Sequence, residues 1–191
     1  DPQFAAAYNN RGGVHSRRGD NRQAVADYSQ AIALDPLYAE AYNNRGIAHA
    51  EQGERKLAIA DFGQAIAIKP QLSEAYNNRG LAFAGLDNPQ QALANYTQAV
   101  GLQPRYADAY AHRGAAYFGL GELDQAIADF DEAIGANPEH APADVGRALA
   151  YSQLGELGKA IADYSQAITL DAQHAPAYAG RGNAYAAQGL L

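Results

Sequence analysis

Apolar and small residues recur along this chain at three- and four-residue spacings, in pairs of short segments separated by a turn. In one pair Tyr76, Gly80 and Phe83 share a helix face, and Leu93, Tyr96 and Val100 share the face of a second helix. Asp87-Asn88-Pro89 interrupts the two, with the proline suited to the first position of the new helix. Gly19, Gly53, Gly121 and Gly155 stand at or beside the same turn in other stretches. The pattern predicts successive helical hairpins.

The hairpins are copies of one unit with a step of 34 residues. Tyr8-Asn9-Asn10-Arg11-Gly12 returns as Tyr42-Asn43-Asn44-Arg45-Gly46 and Tyr76-Asn77-Asn78-Arg79-Gly80, then more weakly as Tyr110-Ala111-His112-Arg113-Gly114 and Tyr178-Ala179-Gly180-Arg181-Gly182. Between the last two, Asp144-Val145-Gly146-Arg147-Ala148 keeps the register without the tyrosine. Ala24, Ala58, Ala92, Ala126 and Ala160 form a second series in phase, followed by Tyr28, Phe62, Tyr96, Phe130 and Tyr164, and by Ala31, Ala65, Ala99, Ala133 and Ala167. Pro36, Pro70, Pro104 and Pro138 close four of the units.

These spaced positions resemble the tetratricopeptide repeat, whose pattern runs W-x2-L-G-x2-Y, then A-x3-F, then P. Five full units span residues 5–38, 39–72, 73–106, 107–140 and 141–174, with a partial sixth over 175–191. Tyr replaces Trp at the first position, Arg replaces Leu before the glycine, His15 and His49 take the aromatic position of the first two units, and Ala172 stands where Pro is expected. The resemblance implies an all-α, right-handed superhelical solenoid of antiparallel helix pairs. One unit cannot bury its own apolar face, so residues 1–191 read as a single array. Glycines such as Gly12 and Gly46 are expected to face Ala24 and Ala31, or Ala58 and Ala65, so that helix backbones approach to about 8 Å. The absence of methionine, Asp1-Pro2 at one end and Gly189-Leu190-Leu191 at the other suggest a piece of a longer array with open ends prone to end-to-end self-association.

Composition then removes several classes of function. The 191 residues hold no cysteine, which excludes disulfides, thiolate metal sites and a cysteine nucleophile. A net charge of −7, from 14 basic and 21 acidic residues, disfavours nucleic acid as a partner. No apolar run approaches the roughly 20 residues that span a bilayer, and the given sequence does not open on a basic segment followed by an apolar core. There is no G-x-S-x-G elbow, phosphate loop or dinucleotide fingerprint, so neither catalysis nor a cofactor is expected. Of the five histidines, His15 and His49 recur one repeat apart, as do His140 and His174 in inter-unit loops. Equivalent residues on neighbouring repeats lie about 8 to 10 Å apart, too far to share a zinc ion that each must approach within about 2.1 Å. His15 and His49 are better read as packed, half-buried aromatics.

Arg11, Arg45, Arg79, Arg113, Arg147 and Arg181 could form a ladder for an anionic ligand. Sixteen residues after the first five, however, come Asp27, Asp61, Asn95, Asp129 and Asp163. Across a helical hairpin that offset sets the two at one height on facing helices, so the expected partner of each arginine is internal. Its planar fork bonds a carboxylate bidentately, which lysine does not.

Resemblance to the family also implies that first helices line a concave groove for a partner peptide. The groove positions in units two and three are Glu40, Asn43, Asn44, Ile47 and Glu51, and Glu74, Asn77, Asn78, Leu81 and Gly85. Asn10, Asn44 and Asn78 make a file continued by His112, similar to the asparagine ladder of O-linked N-acetylglucosamine transferases, and suited to bonding an extended backbone. Ile47 and Leu81 would form the apolar floor. Glu40, Glu74 and Asp108 replace the basic clamp of chaperone-binding relatives, and Asn9 stands where those carry Lys, so a neutral or basic protein or peptide is the expected partner. Val145, Gly146, Ala179 and Gly180 leave the later units small or apolar there. Three functions fit: a non-enzymatic interaction scaffold, the substrate-recruiting arm of a larger glycosyltransferase-like enzyme, or a scaffold stacking through its ends.

Overall fold

The computed structural model describes residues 2–189, with side chains from residue 4 onward; Asp1, Leu190 and Leu191, named above for the chain's ends, lie outside that range. Among the described residues all regular structure is helical, in eleven helices. They are α1 (Pro2–Arg17), α2 (Asn21–Leu34), α3 (Ala39–Glu51), α4 (Arg55–Ile68), α5 (Ser73–Ala84), α6 (Pro89–Leu102), α7 (Ala107–Gly119), α8 (Leu123–Ala136), α9 (Ala141–Gln153), α10 (Leu157–Leu170) and α11 (Ala175–Ala187). The chain forms two compact units, residues 1–102 with α1–α6 and residues 103–191 with α7–α11. In the first unit the hairpins α1–α2, α3–α4 and α5–α6 stack in order, with α2 against α3 and α4 against α5. In the second, α7–α8, α9–α10 and α11 follow the same plan.

Each hairpin turns on one residue in the left-handed region. Gly53 has φ 80° and Gly155 has φ 75°, conformations open to glycine because it lacks a Cβ. In the third unit Asp87 takes this place with φ 57°, a conformation that Asp and Asn tolerate better than most side chains. Pro89 then opens α6, where its missing N–H is not needed. Two caps are unusual. His140 and His174, assigned to loops by sequence, accept hydrogen bonds at Nδ1 from the backbone N–H groups of Ala143 and Ala177 and so cap α9 and α11.

At the repeated glycines of the first helices the closest neighbour across the hairpin is an aromatic ring. A methyl at Gly46 would stand 2.7 Å from a ring carbon of Phe62, and one at Gly12 equally close to Tyr28. The glycine therefore makes room for the flat ring of the second helix, while Ala24, Ala31, Ala58 and Ala65 of those second helices are fully buried and at Gly114 the backbone of Ala126 is almost as near as the ring. The ring buries more apolar area than a methyl group and so takes the closest approach.

One core position breaks the pattern. Asp144 stands where the five other described repeats place Tyr8, Tyr42, Tyr76, Tyr110 and Tyr178, yet it is only 2% exposed and its Oδ2 has no hydrogen-bond partner among the described residues. Burial, and next the neighbouring Asp163 charge, push its pKa up to about 6, against the opposing pull of Arg147 and His140. The neutral acid is favoured in the fold, so ionisation costs stability as pH climbs from about 4 through about 6, and the full cost stands above that. Asp144→Asn should raise stability at neutral pH by on the order of 2 kcal/mol and change it little in acid. Urea denaturation across that pH range checks this; an equal effect at both ends would remove the ionisation from the explanation.

Candidate protein-interaction site

The arginine ladder forms as its spacing implies. Arg11 donates from Nε and Nη2 to the two carboxylate oxygens of Asp27 at 2.7 and 2.6 Å. Arg45 holds Asp61 in the same way at 2.8 and 2.7 Å, Arg113 holds Asp129 at 2.7 Å twice, and Arg147 holds Asp163 at 2.8 and 2.7 Å. The carboxylates are buried while the guanidiniums keep partial access to water. The Arg11 hydrogen bonds hold the Asp27 carboxyl below its ordinary pKa, and the Asp61 and Asp129 bonds raise Arg45 and Arg113. Arg11, Arg45 and Arg113 also lie over the tyrosine three residues earlier, with 5.5 Å from Arg45 to the Tyr42 ring centre, whereas Arg147 has Asp144 at that place.

A third contact escaped the sequence reading. Arg45 Nη1 donates to Ser29 Oγ at 3.0 Å, Arg181 Nη1 to Ser165 Oγ at 3.2 Å, and Arg147 Nη1 to the Asp131 carboxylate. Every one of these partners belongs to the preceding hairpin, so the arginine joins the helices of its own repeat and the repeat before it. The signal was present: Ser29, Asp131 and Ser165 each sit two residues beyond the ladder acid of their helix.

The asparagines lie beside the ladder on the first helices. Asn44 Nδ2 donates to Asn9 Oδ1 at 3.0 Å, and Asn78 Nδ2 donates to Asn43 Oδ1 at 3.1 Å. These bonds run from one first helix to the preceding one, leaving each amide with capacity for a further partner. Asn10 is exposed, whereas Asn77 is only 4% exposed and faces the interior. His112, in the second unit, is half-buried, and burial lowers its pKa.

Ile47 and Leu81 meet Asn78 at a cavity of about 260 Å³ between α3, α4 and α5, completed by Ala50, Glu51, Arg55, Phe62 and Ala82. Leu81 is 42% exposed. Sequence reading considered first helices alone and so missed Arg55, which enters from α4 across Gly85 where any side chain would obstruct it. The three acids are placed differently. Glu40 accepts from Lys69 Nζ at 2.7 Å, which lowers its pKa, and Asp108 is 3.0 Å from His140 Nε2. Glu74 is exposed near Lys69.

The Asn43–Asn78 bond should stabilise the first unit by about 0.5 to 1.5 kcal/mol. Alanine's better helix propensity masks part of this in a single variant, but the gain cancels in a double-mutant cycle. Asn43→Ala and Asn78→Ala should therefore be non-additive by that amount in urea denaturation, and strict additivity would show the bond to be inert.

Among the described residues no helix is long and apolar enough to cross a membrane. Comparison with curated protein sequences gives no match. Among solved structures, MamA aligns with a TM-score of 0.75 at 26% identity over 92% of this chain and 96% of its own. PilW, a type IV pilus biogenesis factor, aligns at 0.89 and 24% over 99% and 88%. A tetratricopeptide repeat protein from Parabacteroides merdae aligns at 0.80 and 21% over 98% and 75%. The family pattern described as TPR repeat matches residues 14–53, 90–121 and 148–189, and the tetratricopeptide repeat pattern matches residues 39–72 and 107–140, the latter coinciding with the second and fourth units. With its pattern, helix pairs and relatives in agreement, the chain belongs to the tetratricopeptide repeat family, an all-α repeat fold that serves as a protein-interaction scaffold.

Proposed function

We propose that the chain binds an extended segment of a protein partner along the first-helix face of its first unit, seating one apolar side chain in the cavity between α3, α4 and α5. The observation that carries this reading is the convergence of Ile47, Leu81 and Asn78 on that cavity. Phe62, Ala50 and Ala82 give it an apolar floor, while Glu51 and Arg55 supply both charge signs at its edge. A largely apolar recess with a few placed polar groups suits a side chain flanked by backbone that hydrogen-bonds to Asn44, Asn78 and Asn10.

Glu40 and Asp108 already have cationic or imidazole neighbours, so in the first unit preference for a basic segment rests on Glu74 and Glu51. That preference weakens with salt, because exposed charges are screened beyond about 8 Å at physiological ionic strength.

A displayed random peptide library panned on the protein should yield segments sharing one large apolar residue. Leu81→Ser, at an exposed position, should weaken the selected peptides by about 1.5 to 3 kcal/mol, roughly ten- to a hundredfold, with little change in stability. Binding that survives Leu81→Ser but fails on substitutions at exposed positions of α2 and α6 would move the site to the opposite face.

A further inference from the structure

One rung of the arginine ladder is incomplete at both of its anchoring positions. Arg79 has Asn95 where its counterparts have Asp27, Asp61, Asp129 and Asp163, and Gly63 where Arg45, Arg147 and Arg181 find Ser29, Asp131 and Ser165. It makes one hydrogen bond, from Nε to Asn95 Oδ1 at 2.7 Å, and its guanidinium lies 5.6 Å from the Tyr76 ring centre. The Asn95 amide cannot turn to offer more, since Nδ2 donates to the Gln91 carbonyl at 2.7 Å. Among the described residues Nη1 and Nη2 have no protein acceptor, although Arg79 is half-buried. Burial without an anion lowers the Arg79 pKa, opposite to Arg45 and Arg113.

We infer that Arg79, beside Gly63, is a binding site for a carboxylate presented by a protein partner. The molecule contains its own template for the bound state. At the equivalent rung of the second unit, the Asp131 carboxylate sits on Arg147 Nη1, and its side chain is 52% exposed. Asp131 occupies the repeat position of Gly63, so that place is reachable from solvent. A methyl placed on Gly63 would still be 3.9 Å from Arg79 Nη1 with no closer neighbour, which leaves the approach open. Arginine stays charged at any ordinary pH and presents two parallel N–H groups that match a carboxylate. An incoming Asp or Glu side chain restores the charge balance that the other rungs have internally. The site is separate from the cavity lined by Ile47 and Leu81 and does not depend on it.

Sodium acetate, titrated against sodium chloride at matched ionic strength, tests the inference by the Nε–Hε resonances of the arginines. Acetate should shift the Arg79 resonance saturably and leave Arg45 unmoved. Gly63→Asp should abolish the Arg79 shift by filling the site from within, and Asn95→Asp should weaken it by occupying the fork, a second variant should the first fold poorly. Inorganic phosphate should bind no better than acetate; clear preference for phosphate would overturn the carboxylate assignment. An Arg79 resonance indifferent to acetate, or one that responds equally in Gly63→Asp, would overturn the site itself.

Discussion

A guanidinium fork closed on a buried carboxylate sets the register of every well-formed hairpin in this protein. Alanine, glycine and the buried ring of each second helix fill the rest of the inter-helix seam, but these apolar contacts define position along the helix axis only loosely. Two short, parallel hydrogen bonds from Arg45 to Asp61 define it sharply. The same arginine reaches Ser29 of the preceding hairpin and rests on the Tyr42 ring. One side chain thus joins its own helix pair to its neighbour. Because partial burial costs the ions much of their attraction, the pair's main contribution is specificity of alignment rather than a large net stability.

The two departures from this scheme have different physical outcomes. Asp144 replaces an aromatic ring with an acid that burial keeps hard to ionise, so the second unit carries a pH-sensitive core position. Arg79 loses its acid to Asn95 and its cross-repeat partner to Gly63, leaving a cation that lacks a matching charge. Both departures sit inside otherwise regular repeats, and the repeats beside them show what an intact rung looks like.

The hairpins, their boundaries and the arginine–aspartate partners were legible in the sequence because several residue types recur together at fixed offsets. A repeat reports its own geometry when two series stay in phase, as Arg45 and Asp61 do with Arg113 and Asp129. What periodicity did not convey was which small residue meets which ring: Gly46 receives Phe62, a choice made by side-chain shape. Asn44 and Asn78 were legible as a file on the first helices, but their bonds to Asn9 and Asn43 depend on how far successive helices are displaced. Arg55 was hidden for a similar reason, since it reaches the cavity from a second helix over a glycine.

Substituting Arg45 with lysine separates the fork from the charge most directly. Arg45→Lys keeps the cation and much of the apolar stem but cannot make the paired bonds to Asp61 or reach Ser29 with the same geometry. If the fork is what aligns the hairpins, urea denaturation should show a loss of about 1 to 3 kcal/mol, persisting at high salt because the Asp61 carboxylate is buried. A change within about 0.5 kcal/mol, or a loss that disappears on adding salt, would show that charge alone suffices and would contradict the account.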